Sequence, residues 1–166
     1  MNTVVTKIPD LASELPPDAN AVPDWLEHAL QAPREEGWVD SGGCAIHYFR
    51  WGNPENPGLL LMHGFLAHAR CFAFIAPFLA ENYHVVAFDL SGMGDSGVRE
   101  HYSDAVRAAE VEDVARATGL FEHEVKPVVI AHSYSGHVAL TAMADRYKLF
   151  GGLIICDLMV LRAERL

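Results

Sequence analysis

The sequence predicts an α/β fold: a mostly parallel sheet of about six strands, opened by an antiparallel hairpin and covered by helices on both faces. Three observations carry this expectation. The short apolar runs Leu59–Met62, His84–Phe88, Val128–Ala131 and Gly152–Cys156 read as strands buried on both faces. Segments with helical spacing of apolar residues separate them, and a strand, a helix and a second strand in succession make a parallel pair. Ahead of them the stretch Gly37–Trp51, broken by Ser41-Gly42-Gly43, reads as a hairpin.

Each element has its own local reason. Residues 1–21 hold Pro9, Pro16 and Pro17 among Asp and Glu, a composition that suits an extended arm. Residues 22–36 form an N-terminal helix in which Val22, Trp25, Leu26, Ala29 and Leu30 share one face, with Pro23 near its first turn and Pro33 beyond its end. That face is expected to dock on the chain's own core. Residues 37–166 make the α/β unit. After the hairpin strand Cys44–Trp51 and the turn Asn53–Gly58 comes strand Leu59–Met62, then a helix marked by Cys71, Phe72, Ile75, Phe78 and Leu79. Pro77 must sit near the start of that helix or kink it. Strand His84–Phe88 is followed by a helix from about Ser103 to Thr118, with Ala105, Ala108, Val111 and Val114 as its inner face. Strand Val128–Ala131, helix Tyr134–Tyr147 and strand Gly152–Cys156 follow. No internal repeat and no second domain is evident.

Composition narrows the function classes. The 166 residues are 51% hydrophobic and 20% charged, as in one globular domain with a sizeable core. A formal net charge of −10 speaks against nucleic acid or an anionic membrane as partner, since either calls for a basic stripe. Cys44, Cys71 and Cys156 are odd in number and widely spaced, which suits free thiols in a reducing compartment. Met1–Asp10 lacks the apolar core of a signal peptide and no apolar run approaches membrane-spanning length, so a cytoplasmic location is expected.

Chemistry concentrates at Lys126–His137, where an apolar strand runs into Ser133 and then into a helix. A serine hydroxyl becomes a useful nucleophile when its Oγ is exposed, a base stands beside it and backbone N–H groups face the developing oxyanion. A tight strand-to-helix turn supplies the first and third of these. It crowds the backbone, so the positions two before and two after the serine must be small, and here they are Ala131 and Ser135. The competing reading is a serine that only caps the helix. Two other strands also end in informative residues: Leu59–Met62 leads into His63-Gly64-Phe65, and His84–Phe88 leads into Asp89-Leu90-Ser91-Gly92-Met93-Gly94-Asp95-Ser96-Gly97. In a parallel sheet such loops gather along one edge.

With these three motifs in this order, residues 37–156 resemble the α/β-hydrolase fold superfamily, in its serine-nucleophile branch. The resemblance implies that Ser133 is the nucleophile and that the backbone N–H groups of Phe65 and Tyr134 form an oxyanion hole. Gly64 then allows close backbone approach, His63 orients its loop by hydrogen bonding, Asp89 braces the loop beside the nucleophile, and His132 belongs to the supporting turn. The superfamily's acid follows a later strand, or this last one in some members, and its histidine follows the final strand. Asp157 is the candidate acid, with a plain turn residue as the alternative. No histidine follows Ser133 except His137, one turn into the nucleophile's own helix. The expectation is therefore a chain lacking the last two strands and the cap.

Rival chemistries fare worse. Gly92-Met93-Gly94-Asp95-Ser96-Gly97 has the glycine spacing of a dinucleotide fingerprint, but Val98–Tyr102 intervenes before any helix. No cofactor is expected. No histidine pair has a neighbouring ligand at metal-binding spacing, so no metal is expected either, and His28, His47, His84, His101 and His123 read as structural. Serine at the turn also argues against the dehalogenase and epoxide hydrolase chemistry that the superfamily runs through a carboxylate. The reading is a serine hydrolase that takes an ester or related small acyl substrate through an acyl-enzyme, impaired in this chain without its acid and histidine. Peroxide-using and carbon–carbon bond hydrolases share the same motifs. The alternative is a non-catalytic shortened domain that binds a small ligand, or that self-associates through its last strand as an exposed sheet edge.

Overall fold

The computed structural model describes residues 22–158. The expected arm at 1–21 lies outside the described residues. Helix α1 (Asp24–Gln31) precedes strands β1 (Glu35–Ser41), β2 (Cys44–Trp51) and β3 (Gly58–Met62). A 3₁₀ turn (Ala69–Phe72) and the single-turn helix α2 (Ala76–Leu79) lead to β4 (His84–Phe88), α3 (Asp104–Ala117), β5 (Val128–His132), α4 (Tyr134–Arg146) and β6 (Gly152–Cys156). The six strands lie in the order β1-β2-β4-β3-β5-β6. The hairpin pairs antiparallel to β4, and β4, β3, β5 and β6 run parallel.

Register brings four strand ends to one level. Met62 pairs with both Phe88 and Ala131, and His132 pairs with Cys156. The chain leaves β3 toward β4 on one side, then returns past β3 to β5 and β6 on the other. The direction of winding reverses between β3 and β5, which opens a crevice above their carboxyl ends.

The pleat sorts the core into two layers. Leu60, Met62, Val86, Phe88, Val129 and Ala131 face α3 and α4, together with Ala108, Val111, Val114, Val138 and Ala142. Phe49, Leu59, Leu61, Val85 and Ala87 face the other way, onto Ala69 and Ala76. This second cover thins toward the β6 edge: Ile130 is half-buried, and Ile154 and Cys156 are exposed. An apolar hollow of about 390 Å³ opens there between Leu61, Ile130, His132 and Cys156 on the sheet and Phe72, Ile75 and Leu79 beside it.

Three expectations change. The helix assigned to 22–36 occupies only Asp24–Gln31, and β1 begins at Glu35, because the Pro33 region ends the helix and the chain turns extended. Its apolar face is only partly covered: Ala29 is buried and Leu26 half-buried, whereas Trp25 and Leu30 are exposed, with the Trp25 and Phe78 ring centres 6.2 Å apart. The helix expected around Cys71–Leu79 is split, with Pro77 in the first turn of α2 after an irregular link. Helix α3 buries Arg107 and Glu110 beside Ala108, Val111 and Val114, whereas Ala105 is exposed. No helix of the described residues is long and apolar enough to cross a membrane.

Candidate active site

The turn from β5 to α4 decides the geometry. Ser133 holds φ 51° and ψ −119°, a region that side chains with a Cβ rarely enter. The turn is held from three sides. The Ser133 N–H donates to the Cys156 carbonyl at 2.8 Å, tying it to β6. The Gly136 N–H donates to the Ser133 carbonyl at 2.8 Å. The hydroxyl of fully buried Ser135 donates to the His63 carbonyl, which joins α4 to the loop after β3. A Cβ on Gly64 would lie 2.9 Å from the His132 ring and 3.4 Å from the Ser133 Cβ, so that loop passes close over the turn.

The rings of Phe65 and Tyr134 meet edge to face with centres 5.6 Å apart, framing the turn. Among the described residues, neither of their backbone N–H groups donates to a protein acceptor. The Tyr134 N–H opens α4, where unpaired donors and the helix dipole both favour negative charge.

His63 is fully buried, and both of its ring nitrogens are committed. Nδ1 donates to the Gly64 carbonyl at 2.7 Å and Nε2 accepts the Leu90 N–H at 3.1 Å, a pattern that fixes the neutral ring. Burial, the largest influence, holds its pKa below the ordinary histidine range. His63 thus joins the loop after β3 to the loop after β4.

Asp89 is the second tie. Its carboxylate accepts the Ala69 N–H, the Asp95 N–H at 2.9 Å and Nδ1 of His47 at 2.7 Å, while its carbonyl accepts the Ser96 hydroxyl at 2.6 Å. Gly94 must be glycine to approach it: φ is 54°, and a Cβ would lie 2.3 Å from the carboxyl carbon. Asp157 follows Cys156 with φ 60° on an exposed turn.

Two clusters escaped sequence reasoning. Glu36, His47 and Asp95 bring one ligand-type atom each within 4.8 Å of one another, but Nε2 of His47 is 2.9 Å from Glu36, and Arg70 is 2.9 Å from Asp95 and 3.7 Å from Glu36. Arg70 thus already supplies positive charge to both carboxylates of this cluster. The other cluster surrounds α3: Glu110, fully buried, accepts Arg99 Nε at 2.9 Å and the Ser91 N–H at 3.1 Å, and Arg107 Nη1 donates to the Ser91 carbonyl at 3.2 Å. These are long-range pairs with no spacing signal, and only the exclusion of charge from most buried helix faces hides them.

With this geometry in place, comparison with known proteins settles the family. Residues 59–165 match the model of the alpha/beta hydrolase family. The chain belongs to that family. Among curated relatives, this alpha/beta hydrolase is 28% identical over 116 residues to the uncharacterized hydrolase YugF of Bacillus subtilis, covering 68% of the chain and 41% of the relative. It is 36% identical over 131 residues to a fluoroacetate dehalogenase of Burkholderia sp, covering 75% and 41%. The crystal structure of a bacterial membrane phospholipase A superposes with a TM-score of 0.72 at 31% identity, covering 84% of the chain and 44% of that protein. The alpha/beta hydrolase chain thus spans less than half the length of these relatives.

Proposed function

We propose that Ser133 is the nucleophile of a serine hydrolase that acts on an ester or related small acyl substrate through an acyl-enzyme. The observation that carries this reading is the strained backbone of Ser133, held by three hydrogen bonds at the crevice between β3 and β5. Such strain persists where surrounding structure enforces it, and it concentrates at working sites. Oγ adds to the acyl carbonyl carbon, the N–H groups of Phe65 and Tyr134 receive the oxyanion, and collapse expels the alcohol to leave the acyl ester on Ser133. Water then cleaves that ester. His63, Gly64, Asp89 and His132 support the loops around this step. The hydroxyl at position 133 favours ester chemistry over the dehalogenation named for one relative.

The proton on Oγ needs a base. Among the described residues no side chain hydrogen-bonds to Ser133 Oγ, and both ring nitrogens of His63 are committed. Asp157, next to the Cys156 carbonyl that holds the turn, is proposed as the carboxylate that would orient such a base. The chain of 166 residues is therefore expected to react slowly. Incubation with a fluorophosphonate should add one phosphonyl mass to Ser133 over hours, with no addition to Ser133→Ala. No adduct after prolonged exposure would sink the nucleophile assignment, and complete labelling within seconds would show a base that this reading lacks.

A second reading rests on β6, the last strand of the sheet, with Ile154 exposed beside an apolar hollow. In it the chain is a non-catalytic domain that self-associates through this edge. Sedimentation should then show a mass that rises with concentration; a monomer at all concentrations refutes it.

A further inference from the structure

Arg107 is placed against every ordinary preference of a cation. It is only 7% exposed, yet among the described residues no carboxylate lies within ion-pair distance, in a chain with 22 acidic and 12 basic residues. It stands in the first turns of α3, where the helix dipole favours negative charge. Removing a guanidinium from water without a counter-charge is costly. The nearby acid Glu110 is already taken by Arg99 and the Ser91 N–H.

What Arg107 does have is a frame. Nη1 donates to the Ser91 carbonyl at 3.2 Å, and the guanidinium carbon lies 4.9 Å from the Tyr102 ring centre and 5.6 Å from that of Tyr134. Cation–π contacts orient a guanidinium without neutralising it. The position is next to the reaction centre, since Tyr134 follows Ser133 and its ring also meets Phe65. The unused nitrogens keep contact with solvent: among the described residues, the fully buried side-chain polar atoms without a partner belong to Trp51, His84 and Ser91, not to Arg107.

We propose that Arg107 is a specificity-determining residue that receives an oxyanion carried by the substrate, the carboxylate of an acidic ester. This deepens the hydrolase reading and rests on it for the word substrate, but the anion site stands on its own geometry. A planar fork with free N–H donors pairs with a carboxylate through charge-assisted hydrogen bonds. Partial burial strengthens them, because screening by water is weak there.

The test follows the Nε–Hε resonance of Arg107 by NMR in the 15N-labelled chain, titrated with monomethyl glutarate, with the neutral dimethyl glutarate and with inorganic phosphate. The expected result is a saturable shift of Arg107 with the monoester, bound about tenfold or more tightly than the diester. Arg107→Met should erase that preference, and Arg107→Lys should restore part of it. An unmoved Arg107 resonance, a preference that survives in Arg107→Met, or a response to phosphate but not to the monoester overturns the proposal. Should Arg107→Met fail to fold, the wild-type titration and Arg107→Lys still decide. If Ser133 takes no phosphonyl label while the monoester shifts Arg107, the hydrolase reading fails and the anion site stands. If Ser133 labels and the two esters bind alike, the anion site fails alone.

Discussion

Ser133 occupies a backbone region that costs a residue with a Cβ about 1–3 kcal/mol. The Cys156 carbonyl, the Gly136 N–H and the Ser135 hydroxyl hold the turn around it. Glycine enters the same region freely but loses more entropy on folding. Ser133→Gly is therefore expected to raise stability by about 1 kcal/mol in urea denaturation while abolishing phosphonyl labelling. A loss of stability would mean that no strain is stored there. This part of the site was partly legible: small residues at 131 and 135 indicated a tight turn, whereas the bond from Ser135 to the His63 carbonyl, across 72 positions of sequence, was not.

Among the elements, α3 and β6 show how tertiary context overrides pattern. In α3 the apolar spacing of Ala108, Val111 and Val114 marks the buried face, and all three are buried. Glu110 and Arg107 join them because Arg99 and the Ser91 backbone supply partners from a loop that helical periodicity cannot register. For α1 the error has the opposite sign: an amphipathic pattern needs an apolar surface to meet, and here the cover reaches Ala29 and Leu26 but leaves Trp25 and Leu30 exposed. In β6 the second face is bare at Ile154, 51% exposed. Under the self-association reading, Ile154→Lys should shift sedimentation to monomer with a stability change within about 0.5 kcal/mol, since a charge on an exposed edge blocks pairing. Unchanged association in that variant would place the contact elsewhere.

Across the whole molecule, two buried histidines make stability depend on pH. Burial is the largest influence on both His63 and His84, and it lowers both pKa values. The unfolded chain takes up protons near the ordinary value of about 6.5, which the folded chain refuses until a lower pH. Between these limits the unfolded state binds more protons, so stability falls as pH drops, by at most about 1.4 kcal/mol per pH unit for each group. Urea midpoints measured from pH 7 to pH 5 should decline accordingly, and His84→Leu should decline less steeply. A midpoint that is flat or rises on acidification would refute this. Glu112 belongs to a separate, more acidic window. Hydrogen bonds from Arg116 and Arg146 lower its pKa, so its contribution is present above the ordinary glutamate range and lost below it.

Sequence alone determined the strands, their parallel run after a hairpin, and the informative loops at the ends of β3, β4 and β5, because apolar period and turn chemistry are local and repeat within a few residues. The family membership of residues 59–165 agrees with that reading. Tertiary structure alone decided that His63 has no nitrogen left for catalysis, that Asp89 ties His47 to two loops, that α1 leaves Trp25 and Leu30 exposed, and that Arg107 is buried without an acid. Each of these depends on which distant group arrives at hydrogen-bond distance, and that is set by strand order and register, not by any spacing along the chain.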